Sequence, residues 1–129
     1  MLQEPDERLD HLAHEVIGAA IEVHRVLGPG YLEQHYEEAL CVELKVRQIP
    51  FERQKAIGVI YKEQTIGESR LDLLIADALI IELKAVEALA PIHTAQLISY
   101  LKMTGKKLGL LINFNVSVLK NGIRRIISS

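Results

Sequence analysis

From residue 6 to residue 27 the apolar positions fall at helical spacing, with Leu9, Leu12, Ala13, Val16, Ile17, Ala20, Ile21, Val23 and His24 forming one stripe. Gly28-Pro29-Gly30 ends the pattern, glycine serving as C-cap and proline blocking continuation. A second helix is predicted over residues 32–47, with Tyr36, Ala39, Leu40 and Leu44 on one side and Gln48-Ile49-Pro50 as its stop. Beyond it the texture changes. Residues 51–61 are rich in strand formers, Lys62-Glu63-Gln64 reads as a turn, and residues 65–75 make a second strand, or two short ones around Gly67. Asp77 marks a further turn before a strongly apolar third strand over residues 79–86. Pro91 opens a helix over residues 92–104, since proline suits a first turn, and Gly105 caps it. Residues 107–114 are apolar on both faces, as in a central strand, and residues 118–127 form a weaker strand carrying Arg124 and Arg125. The order ααβββαββ predicts an α/β fold with helices on both faces of a mixed β-sheet.

Length and charge narrow this picture. At 129 residues the chain is expected to be one domain, residues 1–129, with one substantial core. Apolar runs are short and broken by charge, so no segment suits a bilayer, and the acidic start MLQEPDERLDHL lacks the apolar region of a signal peptide. Cys41 is the only cysteine, which excludes an internal disulfide, a thiolate zinc site and an iron–sulfur cluster held within one chain. It reads as a small buried hydrophobe, and a cytoplasmic protein is expected. Through Leu44 there are two bases against ten acids, and from Lys45 onward thirteen against seven. The later part therefore has the charge for a basic, nucleic-acid-facing surface, although two complementary halves packing together would show the same asymmetry.

The chemistry concentrates in RLDLLIADALIIELK, residues 70–84. Strand alternation points Glu82 and Lys84 the same way, and a turn centred on Asp77 sets Asp72 opposite Glu82. Two carboxylates at cross-strand distance repel unless a cation lies between them, and Mg²⁺ or Mn²⁺ suits oxygen ligands. A lysine two residues on can orient a water or stabilise charge on a phosphate. The plain alternative is a strand face with one Glu–Lys pair and an unrelated Asp. In Gly30-x-x-Glu33-x-x-Tyr36, Glu33 offers a third carboxylate from the second helix, or else simply favours the helix dipole. Gln96 and Tyr100, one turn apart on the next helix, face the sheet edge where a phosphate backbone would lie, or are a surface glutamine and a half-buried tyrosine. Arg70 and Arg53 are candidate phosphate contacts, with carboxylate pairing as the competing role. No Gly-rich phosphate loop, Ser–His–Asp set or dinucleotide fingerprint is present.

Asp72, Glu82-Leu83-Lys84 and the Gln96–Tyr100 turn resemble the PD-(D/E)XK nuclease superfamily, in its exonuclease-like branch with a glutamine–tyrosine helix. GPGYLEQHYEEAL, ERQ, RLDLLI, IIELKAVEAL, HTAQLISYLK and GLLINF together resemble the GxxExxY proteins, over roughly residues 16–127. Leu71 stands where the superfamily signature has proline. The resemblance implies a restriction-endonuclease-like core and a Mg²⁺- or Mn²⁺-dependent nuclease hydrolysing DNA, with RNA as second choice. It implies Asp72, Glu82 and Glu33 as metal ligands, with the Leu83 carbonyl as an extra one, Lys84 as catalytic lysine, and Gln96 and Tyr100 as groups ordering water or phosphate. The alternative is a nuclease-fold module that binds nucleic acid or protein with little catalysis. So small a domain covers a short length of duplex, which makes a homodimer one arrangement for double-stranded substrates.

Overall fold

The structure, a computed structural model, describes residues 6–128, so the first five residues of the acidic start lie outside it. Helix α1 spans Glu7–Leu27 and α2 spans Glu33–Val46. Asp6 caps α1 by accepting the Leu9 N–H at 2.8 Å, and Glu7 and Asp10 follow in the first turn, where the helix dipole favours acids. Strands β1 (Phe51–Tyr61) and β2 (Gln64–Ile75) form an antiparallel hairpin, and β3 (Leu79–Lys84) pairs antiparallel with β2. Helix α3 (Pro91–Thr104) crosses over to β4 (Leu108–Asn113), parallel to β3, and β5 (Ile123–Ile127) closes the other edge antiparallel to β4. The sheet order is β1-β2-β3-β4-β5, a five-stranded mixed sheet with helices on both faces, as the hydrophobic pattern predicts and consistent with the restriction-endonuclease-like core that the resemblance implies.

Strands β3 and β4 are buried almost throughout, which is why they read as continuous apolar runs. Leu73, Ile75, Ile81, Leu83, Leu110 and Ile112 pack under α1 and α2, whereas Leu74, Ile80 and Leu111 pack under Leu97, Tyr100 and Leu101 of α3. Gly109 permits that second contact, because a Cβ there would sit 2.8 Å from the Leu97 side chain.

Four details differ from the sequence expectation. The third strand stops at Lys84, because Val86 gives both its backbone groups to the Asn113 side chain instead of to a neighbouring strand. The last segment begins as a 3-10 turn, Leu119–Gly122, which tucks Leu119 inward before β5 starts. Ile21, placed in the apolar stripe by spacing, is 47% exposed, since Ala19, Ala20 and Val23 already fill the narrow buried side of α1. Gly67 does not divide β2; an irregularity between Val59 and Ile60 absorbs the extra residue.

Candidate active site

The ladder between β2 and β3 is short. Leu73 pairs with Ile81, Leu74 with Ile80 and Ile75 with Leu79, a register symmetric about residue 77. At the next position, Asp72 and Glu82, side chains replace backbone pairing. Glu82 Oε2 accepts the Asp72 N–H at 2.9 Å, and Asp72 Oδ2 accepts the Leu83 N–H at 2.8 Å. The two carboxylates thus satisfy backbone donors that the parting strands would otherwise strand. The alternation of faces also slips here: Leu71 lies with Leu74 under α3, while Leu73 and Ile75 lie under α1 and α2.

Glu82 is 4% exposed, and its carboxyl is pushed up to about 8, first by burial and then by Asp72. Burial likewise raises Asp72, with Glu37 adding to the effect and the Leu83 N–H and Gln54 opposing it. Lys84, half-buried at the end of β3, favours the charged form of both. Glu33 is raised too, by burial foremost, with Lys84 lowering it and Asp72 raising it. The structure therefore brings Asp72, Glu82, Lys84 and Glu33 into one electrostatic neighbourhood.

Glu33 arrives there through the loop before α2. The Tyr36 hydroxyl donates to the Gly28 carbonyl at 2.6 Å and accepts the Tyr31 N–H at 3.1 Å, while its ring stacks on Phe114 at 4.5 Å. Gly30 adopts φ +105°, a conformation that L side chains avoid. In Gly30-x-x-Glu33-x-x-Tyr36, the glycine turns the chain, the tyrosine pins the turn to the core, and the glutamate is left at the first position of α2. Glu33 and Asp72 line one open cleft of about 500 Å³ together with Leu32, Gln34, Glu37 and Gln54.

The remaining sequence candidates occupy distinct places. Tyr100 is buried under the sheet beside Ser69, and burial, then Glu82, raises its hydroxyl; hydrogen bonds from Ser69 and Gln96 work the other way. Gln96 is exposed one turn before it. Arg70 donates to the Gln54 carbonyl at 3.1 Å and to Glu68 at 3.2 Å. Arg53 is held by Glu37 at 2.8 Å and by Glu38, so carboxylate pairing takes up its charge. Three residues that lie in the quoted motifs but received no role from the sequence complete the frame. Glu37 is buried in the cleft floor, Gln54 bridges Glu37 and Asp72, and Asn113 clamps Val86 just beyond Lys84. The signals were thin: Glu37 shares a helical face with Glu33, and Asn113 is the one polar residue of its strand.

The donor set suits a divalent cation. Asp72 and Glu82 each spend one oxygen on a backbone N–H. Among the described residues no fully buried side-chain oxygen lacks a partner, so the second oxygen of Glu82 opens to the site. Two carboxyls pushed toward neutrality by burial, Glu82 also by Asp72 and Asp72 also by Glu37, are short of positive charge, and an all-oxygen set matches Mg²⁺ or Mn²⁺. Among the described residues no three acidic, histidine or cysteine side chains are gathered around one ion position, so Asp72, Glu82 and Glu33 do not form a ready three-carboxylate cluster.

A family model described as the PD-(D/E)XK nuclease superfamily matches residues 10–126. No curated protein matches the chain. The match runs from the first turn of α1 to the penultimate residue of β5, and so includes every residue of the cleft.

Proposed function

This chain belongs to the PD-(D/E)XK nuclease superfamily, and we propose that it is a Mg²⁺- or Mn²⁺-dependent nuclease of the GxxExxY group that hydrolyses phosphodiester bonds of DNA. One observation carries this reading: a buried carboxylate, Glu82, and a half-buried one, Asp72, each take a backbone N–H from the other's strand where β2 and β3 part, with Lys84 beside them. Asp72 and Glu82 would hold the cation, with Glu33 and the Leu83 carbonyl as further ligands. The bound cation supplies a water of lowered pKa and draws charge from the phosphate. Lys84 orients the attacking water and offsets the charge that develops on the phosphate oxygens. Tyr100 and Gln96 fix the scissile phosphate from α3. Arg70, exposed at the rim, is assigned a phosphate contact; Arg53 is assigned to organising Glu37. The chain acts as one domain in the cytoplasm, pairing as a homodimer where both strands of a duplex are cut; among the described residues no helix is long and apolar enough to cross a membrane.

The test is incubation of the purified protein with single- and double-stranded DNA and Mn²⁺. Glu82→Ala and Lys84→Ala should each slow cleavage at least about 100-fold. Full-rate cleavage by both variants rejects the assignment. The second reading, a nuclease-fold binding module, draws on the pairing of only two carboxylates. It is separated by calorimetric titration with Mn²⁺, because such a module has no use for a cation between Asp72 and Glu82.

A further inference from the structure

Gln54 is the residue at which β1 departs from regular geometry. Arg53 pairs with Leu73 and Lys55 with Leu71, yet between those pairs Gln54 takes φ +51° and the ladder is interrupted opposite Asp72. An L side chain is disfavoured at that angle, and Gly or Asn would occupy it more comfortably. Local folding therefore does not account for glutamine. Its contacts do: Nε2 donates to Glu37 Oε1 at 2.8 Å and to Asp72 Oδ1 at 3.3 Å, while Arg70 holds its carbonyl at 3.1 Å. A primary amide offers two N–H groups on one nitrogen without carrying charge. It can steer two carboxylates and leave their negative charge available to a cation, which a lysine would neutralise.

We propose that Gln54 is a positioning residue that fixes the orientation of Asp72 and ties it to helix α2. The chain of contacts runs from Arg53 to Glu37 at 2.8 Å, through the Gln54 amide to Asp72, and from Asp72 to the Leu83 N–H at 2.8 Å. Leu83 lies between Glu82 and Lys84, so the amide sets the carboxylate that in turn holds the strand bearing both. Strained residues persist where surrounding contacts over-determine them, and this one is held at its carbonyl, its amide and both neighbouring strand pairs. The orientation of Asp72 is a property of the metal-free protein; only its consequence for cation binding rests on the nuclease reading.

The full chain carrying Gln54→Asn or Gln54→Gly provides the test, because both residues accept the positive φ and neither reaches Asp72 and Glu37 together. The metal-free melting temperature should stay within about 3 °C of wild type. Amide hydrogen exchange, followed by NMR without metal, should accelerate about 10-fold at Leu83 and remain unchanged at Leu110 in the buried centre of β4. Calorimetric Mn²⁺ affinity should fall about 10-fold, the scale seen when partners that orient a metal ligand are removed. Wild-type exchange at Leu83 in both variants overturns the proposal, as does equal acceleration at Leu83 and Leu110, which marks general loosening. So does unchanged Mn²⁺ affinity where the wild type binds the ion. If the wild type takes up no Mn²⁺, the nuclease reading falls, and exchange at Leu83 alone decides the role of Gln54.

Discussion

The two ends of β2 are built on different physical terms. Its inner end, Leu73 to Ile75, is buried, laddered on both sides and held by packing. Its outer end, from Gln64 to Arg70, is largely exposed and pairs with β1 alone. Asp72 stands where one regime gives way to the other, and there side chains, not backbone, join the strands. The difference shows how a rigid sheet presents charged groups. A carboxylate in the inner ladder would be buried without relief, and one on the outer arm would have no fixed position. At the junction each carboxylate is oriented by a backbone donor, Asp72 by the Gln54 amide as well, while one oxygen of Glu82 takes no protein donor.

The contrast is broken most strongly from the inside. Leu73→Ala removes a fully buried side chain, and a loss of about 2–5 kcal/mol is expected, read as a lowered denaturant midpoint at constant slope. Tyr36→Phe removes only a hydroxyl but leaves the Gly28 carbonyl and Tyr31 N–H without their partner. About 1–3 kcal/mol should be lost, and Mn²⁺ affinity should weaken with it because the loop placing Glu33 is freed.

The pH dependence sharpens the comparison at the junction itself. Glu82 has a folded pKa above its unfolded value, so its contribution to stability is complete below the ordinary carboxylate range and is lost as pH rises through about 8. Melting temperature of the metal-free protein should therefore decline across that window. Glu82→Gln should flatten the decline, and Mn²⁺ should reverse it most at the alkaline end, where the charged form that binds the ion is populated. A metal-free melting temperature that rises over the same window contradicts the burial of Glu82. The smallest effect is expected on the outer arm. Ile66 is 64% exposed, and Ile66→Ala should change stability by no more than about 0.5 kcal/mol.

Much of the junction was legible in the chain. Residues 72 and 82 lie equally far from Asp77, and the observed pairs of β2 with β3 keep that symmetry. Gly28-Pro29-Gly30 and Pro91 mark helix boundaries through backbone chemistry, which is local and therefore readable. What escaped depends on partners distant in sequence. For Arg53 the sequence leaves phosphate contact and carboxylate pairing open, because Glu37 and Glu38, which take its charge, lie on another element. The left-handed turn at Gln54 has no signal of its own, because glutamine is not a residue that advertises positive φ. Asn113 replaces the end of a strand by hydrogen-bonding both backbone groups of Val86, a substitution that hydrophobic alternation cannot register. Tyr36 was visible as a motif residue, yet its work is structural, holding a loop and stacking on Phe114.

The central claim is that Asp72 and Glu82 form a cation site. Crystals of the protein soaked in Mn²⁺ and measured for anomalous scattering test it most directly. The expected result is a single strong peak within coordination distance of both carboxylates, on the side facing Glu33 and Lys84. Occupied Mn²⁺ sites elsewhere, with none between Asp72 and Glu82, would contradict it.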